Sequence, residues 1–153
     1  MQISGKGIKL IRRWEGYALT PYQDSSGEWT VGIGHQLNVK ERSMWRFPLT
    51  DAEIQNVFQG DVAKAVGRVN ALLSMPVNQN QFDALVDFEY NTGALAGSTL
   101  LFKLRSGDVE GARKEFFRWI HDSRKKVVAG LMARRRDEAT LFNSPVPSPA
   151  EPS

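Results

Sequence analysis

Apolar and polar positions along the chain fall into two periods. Ile8, Ile11 and Trp14 recur at helical spacing behind Ser4, which predicts a first helix over residues 5–14 with Ser4 as its cap and Lys9, Arg12 and Arg13 outward. From Tyr17 to Val39 the period shortens. Tyr17, Tyr22, Trp29, Val31 and Ile33 are aromatic or β-branched and are punctuated by Pro21, Gly27, Gly32 and Gly34, so a small antiparallel sheet is predicted, turning at Asp24-Ser25-Ser26-Gly27. Residues 40–49 show no period and read as irregular, with Trp45 and Phe47 as packing residues. Thr50-Asp51-Ala52-Glu53 is a capping box opening a long helical stripe through Ile54, Val57, Phe58, Val62, Val66, Val69 and Leu72 or Leu73, with Gly60 and Gly67 as weak points.

Met75-Pro76 breaks that helix, and Asn78 or Asn80 caps another that carries Phe82, Leu85, Val86 and Phe88 and stops at Asn91-Thr92-Gly93. Leu95–Leu104 reads as one short apolar helix. Asp108 caps a further one through Val109, Ala112, Phe116, Phe117 and Ile120, and Val127–Phe142 is the last. The pattern therefore predicts a mainly helical α+β domain over residues 1–143. An N-terminal lobe of about residues 1–50 would hold the sheet, a connecting helix would span about 51–73, and a helical C-terminal lobe about 74–143, with a cleft shared between the lobes. The Pro/Ser-rich residues 144–153 have no apolar period and are expected to be disordered.

Composition adds bounds. A chain of 153 residues is one domain by length, and 41% hydrophobic with 24% charged residues is ordinary for a globular protein. With no cysteine, neither disulfides nor thiolate metal sites hold the fold. Lys6, Lys9, Arg12 and Arg13 interrupt the amino-terminal apolar positions, so no signal-type apolar region is expected there, and no run approaches a membrane span. The net charge of +3 is uneven: residues 103–142 hold 11 Lys and Arg against 6 Asp and Glu, whereas residues 1–102 hold 9 against 10. A basic C-terminal half points to an acidic polymer or anionic surface as partner, or to a solvated helix face.

Candidate chemistry gathers in residues 15–35. Glu15 stands at the end of the first helix, against the negative end of its dipole, and half-buried beside Trp14 it would keep its proton. Asp24 follows nine positions later in the turn, and Thr30 six beyond. Two carboxylates on different supports suit glycosidic-bond hydrolysis, where one protonates the leaving oxygen and the other activates water. Each also has a plainer reading: an exposed helix-end Glu, an Asx-turn Asp, a β-forming Thr. His35 reads as structural, because no second His or acid cluster supplies metal-ligand spacing, and Gly32-Ile33-Gly34 is no phosphate loop. Glu89 is left outside the site. Spacing and charge alone reach a carbohydrate hydrolase with an anionic partner.

The spacing of Glu15, eight residues, Asp24, five residues and Thr30, with Trp29-Thr30-Val31-Gly32-Ile33-Gly34-His35 around it, resembles the catalytic core of the tailed-phage lysozymes, glycoside hydrolase family 24. The runs PVNQNQFDALVDFEYNTG and FRWIHDSRKKVVAGLMARRRDEATLF extend the resemblance over residues 5–142. It implies a lysozyme-like fold and hydrolysis, without metal or cofactor, of the β-1,4 bond between N-acetylmuramic acid and N-acetylglucosamine in peptidoglycan. Glu15 would be general acid, Asp24 the base steering water, and Thr30 a second water ligand, while a His35–Asp61 ion pair would pin the sheet to the connecting helix. Gly34 and Asn91 are expected at the substrate. A monomeric endolysin is expected, and since no export signal is read, one held in the host cytoplasm until a separate pore-forming protein releases it to the periplasm. Its basic C-terminal helices would face an anionic outer-membrane surface, and no nucleic acid is expected. The alternatives are a lytic transglycosylase that uses Glu15 alone, and a non-enzymatic cationic binder of membrane or nucleic acid acting through residues 103–142, to which Arg134-Arg135-Arg136 would be suited.

Overall fold

The computed structural model describes residues 1–146; most of the expected disordered tail over 144–153 lies outside the described residues. Helix α1 spans Gly5–Glu15 and buries Ile11. Ser4 stands at its N-cap without capping it. Instead its backbone N–H donates to Asp83 Oδ1 at 3.0 Å and its hydroxyl donates to Asp83 Oδ2, so the residue ties the start of α1 to the fourth helix. Left-handed Gly16 (φ 70°) then turns the chain into the sheet.

Strands β1 (Ala18–Gln23), β2 (Trp29–Gly32) and β3 (His35–Gln36) form an antiparallel sheet in that order. Tyr22 pairs with Thr30, Thr30 with Gln36 and Val31 with His35. Pro21, which cannot donate to a ladder, lies on the edge strand, where it is tolerated. Residues 39–44 correct the sequence reading: Val39–Met44 is helix α2, started by a capping box between Asn38 and Glu41. The helix buries nothing, so no apolar period announced it.

Helix α3 (Asp51–Leu72) runs 22 residues from the Thr50/Glu53 capping box, about 33 Å at 1.5 Å per residue. Ile54, Phe58, Val62, Ala65 and Val69 form its buried stripe. Helix α4 (Gln79–Thr92) begins at an Asn78/Gln81 capping box, ends at left-handed Gly93, and is buried continuously from Phe82 to Glu89. It is the axis of the helical lobe, packed by α1, α3 and the last helix. The predicted Leu95–Leu104 helix is two elements, a 3-10 turn (Leu95–Gly97) and α5 (Thr99–Arg105), because Ser98 caps afresh by accepting from Leu101 N–H. Helix α6 (Val109–Glu115) stops short of Phe116, which lies in a following 3-10 turn, and of Ile120. Helix α7 (Ala129–Phe142) begins two residues later than predicted, since Val127 bridges to His121. Phe88 of α4 meets Phe116 and Trp119 edge-on, with ring centres 5.6 and 5.4 Å apart, closing the core of this lobe.

Candidate active site

Between the sheet on one side and α3 and α4 on the other lies a cleft of about 540 Å³. Glu15, Asp24, Thr30, Gly34, His35, Asp61 and Asn91 all line it, and so do Tyr22, Lys64, Arg68, Glu89 and Tyr90.

Glu15 enters from the last turn of α1 and is mostly buried. Burial raises its pKa most, and the Arg134 guanidinium, donating from Nη1 to Oε1 at 2.6 Å, opposes this; the net shift is upward. The indole N–H of neighbouring Trp14 donates to Asp137 on α7 at 3.0 Å. Gly34 has a steric role: at φ 70° its Cα lies so close to the carboxyl that an added Cβ would overlap Glu15 Oε2.

Asp24 sits in the turn after β1 as an Asx residue. Its Oδ1 accepts from Ser26 N–H at 2.9 Å, from the Ser26 hydroxyl at 2.8 Å and from Glu28 N–H at 2.9 Å. Among the described residues Oδ2 accepts no hydrogen bond, so one oxygen is fixed by the turn and the other is left for water or substrate. Thr30, on β2 in register with Tyr22 and Gln36, is buried at the cleft wall.

His35 is clamped. Its Nδ1 lies 2.7 Å from Asp61 Oδ2 and its Nε2 3.0 Å from Glu41 Oε2, with Trp45 stacked 5.3 Å from it. Burial works against the charged ring, but the two carboxylates outweigh it and raise the histidine's pKa. Glu41, the second partner, comes from α2, the helix that sequence reading treated as irregular.

Sequence reading missed Arg134. It lies on α7, 119 residues from Glu15, and its fork also grips buried Asp87 on α4 at 3.0 and 2.8 Å. Arg135 beside it is fully buried, donating to Asn91 Oδ1 at 2.6 Å and Glu138 Oε1 at 2.9 Å. Asn91 thus reaches the cleft with its oxygen already engaged. Two of the three arginines of the run are therefore internal, and Arg136 alone of the three is exposed. A signal existed: Asp83 and Asp87 lie one turn apart, interleaved with the apolar stripe of Phe82, Leu85, Val86 and Phe88, and buried carboxylates require partners. Glu89 also lines the cleft, but with both oxygens held, by Arg68 Nε at 2.9 Å and Leu95 N–H at 3.0 Å, it is unsuited to proton transfer.

A small sheet and a helical lobe around a cleft that holds a buried carboxyl of raised pKa and a turn-fixed carboxylate define a glycoside hydrolase of the lysozyme class. Residues 12–138 match the phage lysozyme family, and the chain belongs to it. Enzymes of this family act on bacterial peptidoglycan. The chain is 36% identical over 149 residues to the endolysin of Acyrthosiphon pisum secondary endosymbiont phage 1, covering 94% of this chain and 99% of that one. To the endolysin of Bacillus phage PZA it is 41% identical over 96% of its length, but it spans only 57% of that protein. Its fold is similar to the muramidase domain of SpmX from Asticaccaulis excentricus, with a TM-score of 0.80 and 31% identity, covering 94% of this chain and 99% of that one. No helix among the described residues is long and apolar enough to cross a membrane.

Proposed function

We propose that the chain is a muramidase that hydrolyses the β-1,4 bond from N-acetylmuramic acid to N-acetylglucosamine by a single displacement. Glu15 donates its proton to the glycosidic oxygen, Asp24 Oδ2 takes a proton from the attacking water, and the Thr30 hydroxyl holds that water. The sugar departs with inversion. The observation that carries the reading is the pairing, in one cleft, of a carboxyl whose pKa is raised by burial with a carboxylate whose second oxygen accepts no hydrogen bond among the described residues. A lytic transglycosylase would need Glu15 alone and leaves the fixed Asp24 without work.

The proposed setting is a phage lysis programme in which a separate pore-forming protein releases the monomeric enzyme to the periplasmic wall. Any contact with an anionic outer-membrane surface falls to the exposed cations Arg105, Lys114, Arg118, Arg124, Lys125, Lys126 and Arg136, without buried Arg134 and Arg135. Glu15→Gln tests the chemistry: it keeps the shape and removes the proton donor, so turnover of purified peptidoglycan is expected to fall at least about a thousandfold with binding retained. Undiminished turnover would refute the assignment.

A further inference from the structure

Two cations in the cleft have no part in the chemistry above. Lys64 and Arg68 lie on the face of α3 that carries Asp61, three and seven residues further on, so they stand roughly 5 and 10 Å along the helix from the His35 clamp at 1.5 Å per residue. Among the described residues the Lys64 ammonium makes no hydrogen bond. The Arg68 side chain is 51% exposed, yet it is fixed: its Nε donates at 2.9 Å to Glu89, whose side chain is only 4% exposed. Glu89 occupies a position on α4 where its neighbours are buried and mostly apolar, and burying a carboxylate is costly unless it is fully bonded. It is bonded by Arg68 and by Leu95 N–H, which locks it and, through it, one edge of the guanidinium. The two Nη groups make no hydrogen bond to a described residue, leaving the outer edge of a pre-oriented fork free at the cleft. Asp24 and Asp61 make the rest of the cleft acidic, so an anion is repelled there and drawn to the Lys64 end.

We propose that Lys64 and Arg68, oriented by buried Glu89, form a carboxylate-binding subsite that receives the free carboxylates of the peptide stems on the glycan strand. The inference rests on the muramidase reading. The sugar backbone without its stems offers only a lactyl carboxylate, whereas stems carry several; a cationic fork off the reacting bond would set the register of a stem-bearing strand and add binding equally to ground and transition states.

The test measures kcat/KM on three purified substrates: intact strands, strands whose carboxylates have been chemically amidated, and strands stripped of stems, which keep the lactyl group. The native enzyme is expected to prefer intact strands over both others by about tenfold, the scale of one charge-assisted hydrogen bond. Lys64→Gln/Arg68→Gln should abolish the preference through KM, leaving the amidated and stripped substrates unaffected. A double variant that keeps the preference overturns the proposal, as does one that loses equally on all three substrates. So does a native enzyme that cleaves stripped strands as well as intact ones, which would assign the subsite to the lactyl group. Should removing Arg68 unfold the chain by stranding Glu89, two variants still decide: Lys64→Gln alone must lower the preference about threefold, and Arg68→Gln/Glu89→Gln, which removes the buried charge with its partner, must lower it further. Lys9→Gln, away from the cleft, must leave the preference intact; an equal loss there would mean bulk charge and overturn the subsite. A native enzyme inactive on every substrate would instead contradict the muramidase reading.

Discussion

At the scale of single residues, the acidity of Glu15 is a contest between burial, which raises its pKa, and Arg134, which lowers it; burial wins. Its folded value lies above its ordinary one of 4.5, so its contribution to stability is full below that pH and lost as pH rises through the raised value. The ionised form of Glu15 therefore works against folding, in the position where the chemistry needs a proton. Replacing Arg134 with Gln removes the opposing charge and is expected to move the alkaline limb of the kcat/KM profile to higher pH. It also strands buried Asp87, costing about 3–5 kcal/mol in urea denaturation. An unmoved limb would mean that Arg134 does not govern Glu15. Gly34→Ala puts a methyl against Glu15 Oε2 at a left-handed backbone position. Expected are a loss of about 1–3 kcal/mol in thermal denaturation and a drop in turnover of more than tenfold.

Between elements, His35 joins β3 to α3 through Asp61 and to α2 through Glu41. Its pKa is raised on folding, so the clamp's stabilisation is present in full below about pH 6.5 and is lost as pH rises through the raised value. Asp61→Asn is expected to lower the His35 pKa in an NMR titration and to cost on the order of 1–3 kcal/mol near pH 5, with a smaller cost near pH 9. A cost independent of pH would show that the histidine's charge is irrelevant to it. Sequence showed the Thr50/Glu53 box, and Asn78 or Asn80 as the next helix's cap, because local capping and an apolar stripe agreed there. The Asn38/Glu41 box of α2 was equally local but had no stripe behind it, with Val39 81% exposed, and so passed as irregular. Ser98 split a continuous apolar run for a related reason: a cap outranks hydrophobicity in deciding where a helix starts.

For the whole molecule, α4 is the hub: it takes Ser4 at one end, Phe116 and Trp119 on its flank, and Arg134 from α7 at the cleft. Phe88→Ala should open a cavity among these rings and cost about 3–5 kcal/mol, read from urea midpoints, with the pH profile of activity unchanged. The positions now lining the cleft near the sheet could be named from sequence because their spacing is short. The Glu15–Arg134–Asp87 bridge could not, since residues so far apart leave no local pattern; what was visible was an arginine run that composition assigned to the surface and burial returns to the interior. The central claim is that water, activated at Asp24, attacks as Glu15 protonates the leaving oxygen. Proton NMR of the reducing end released in the first minutes of digestion tests it most directly: the account predicts the α anomer before mutarotation, whereas the β anomer, or an anhydro product with no reducing end, would contradict it.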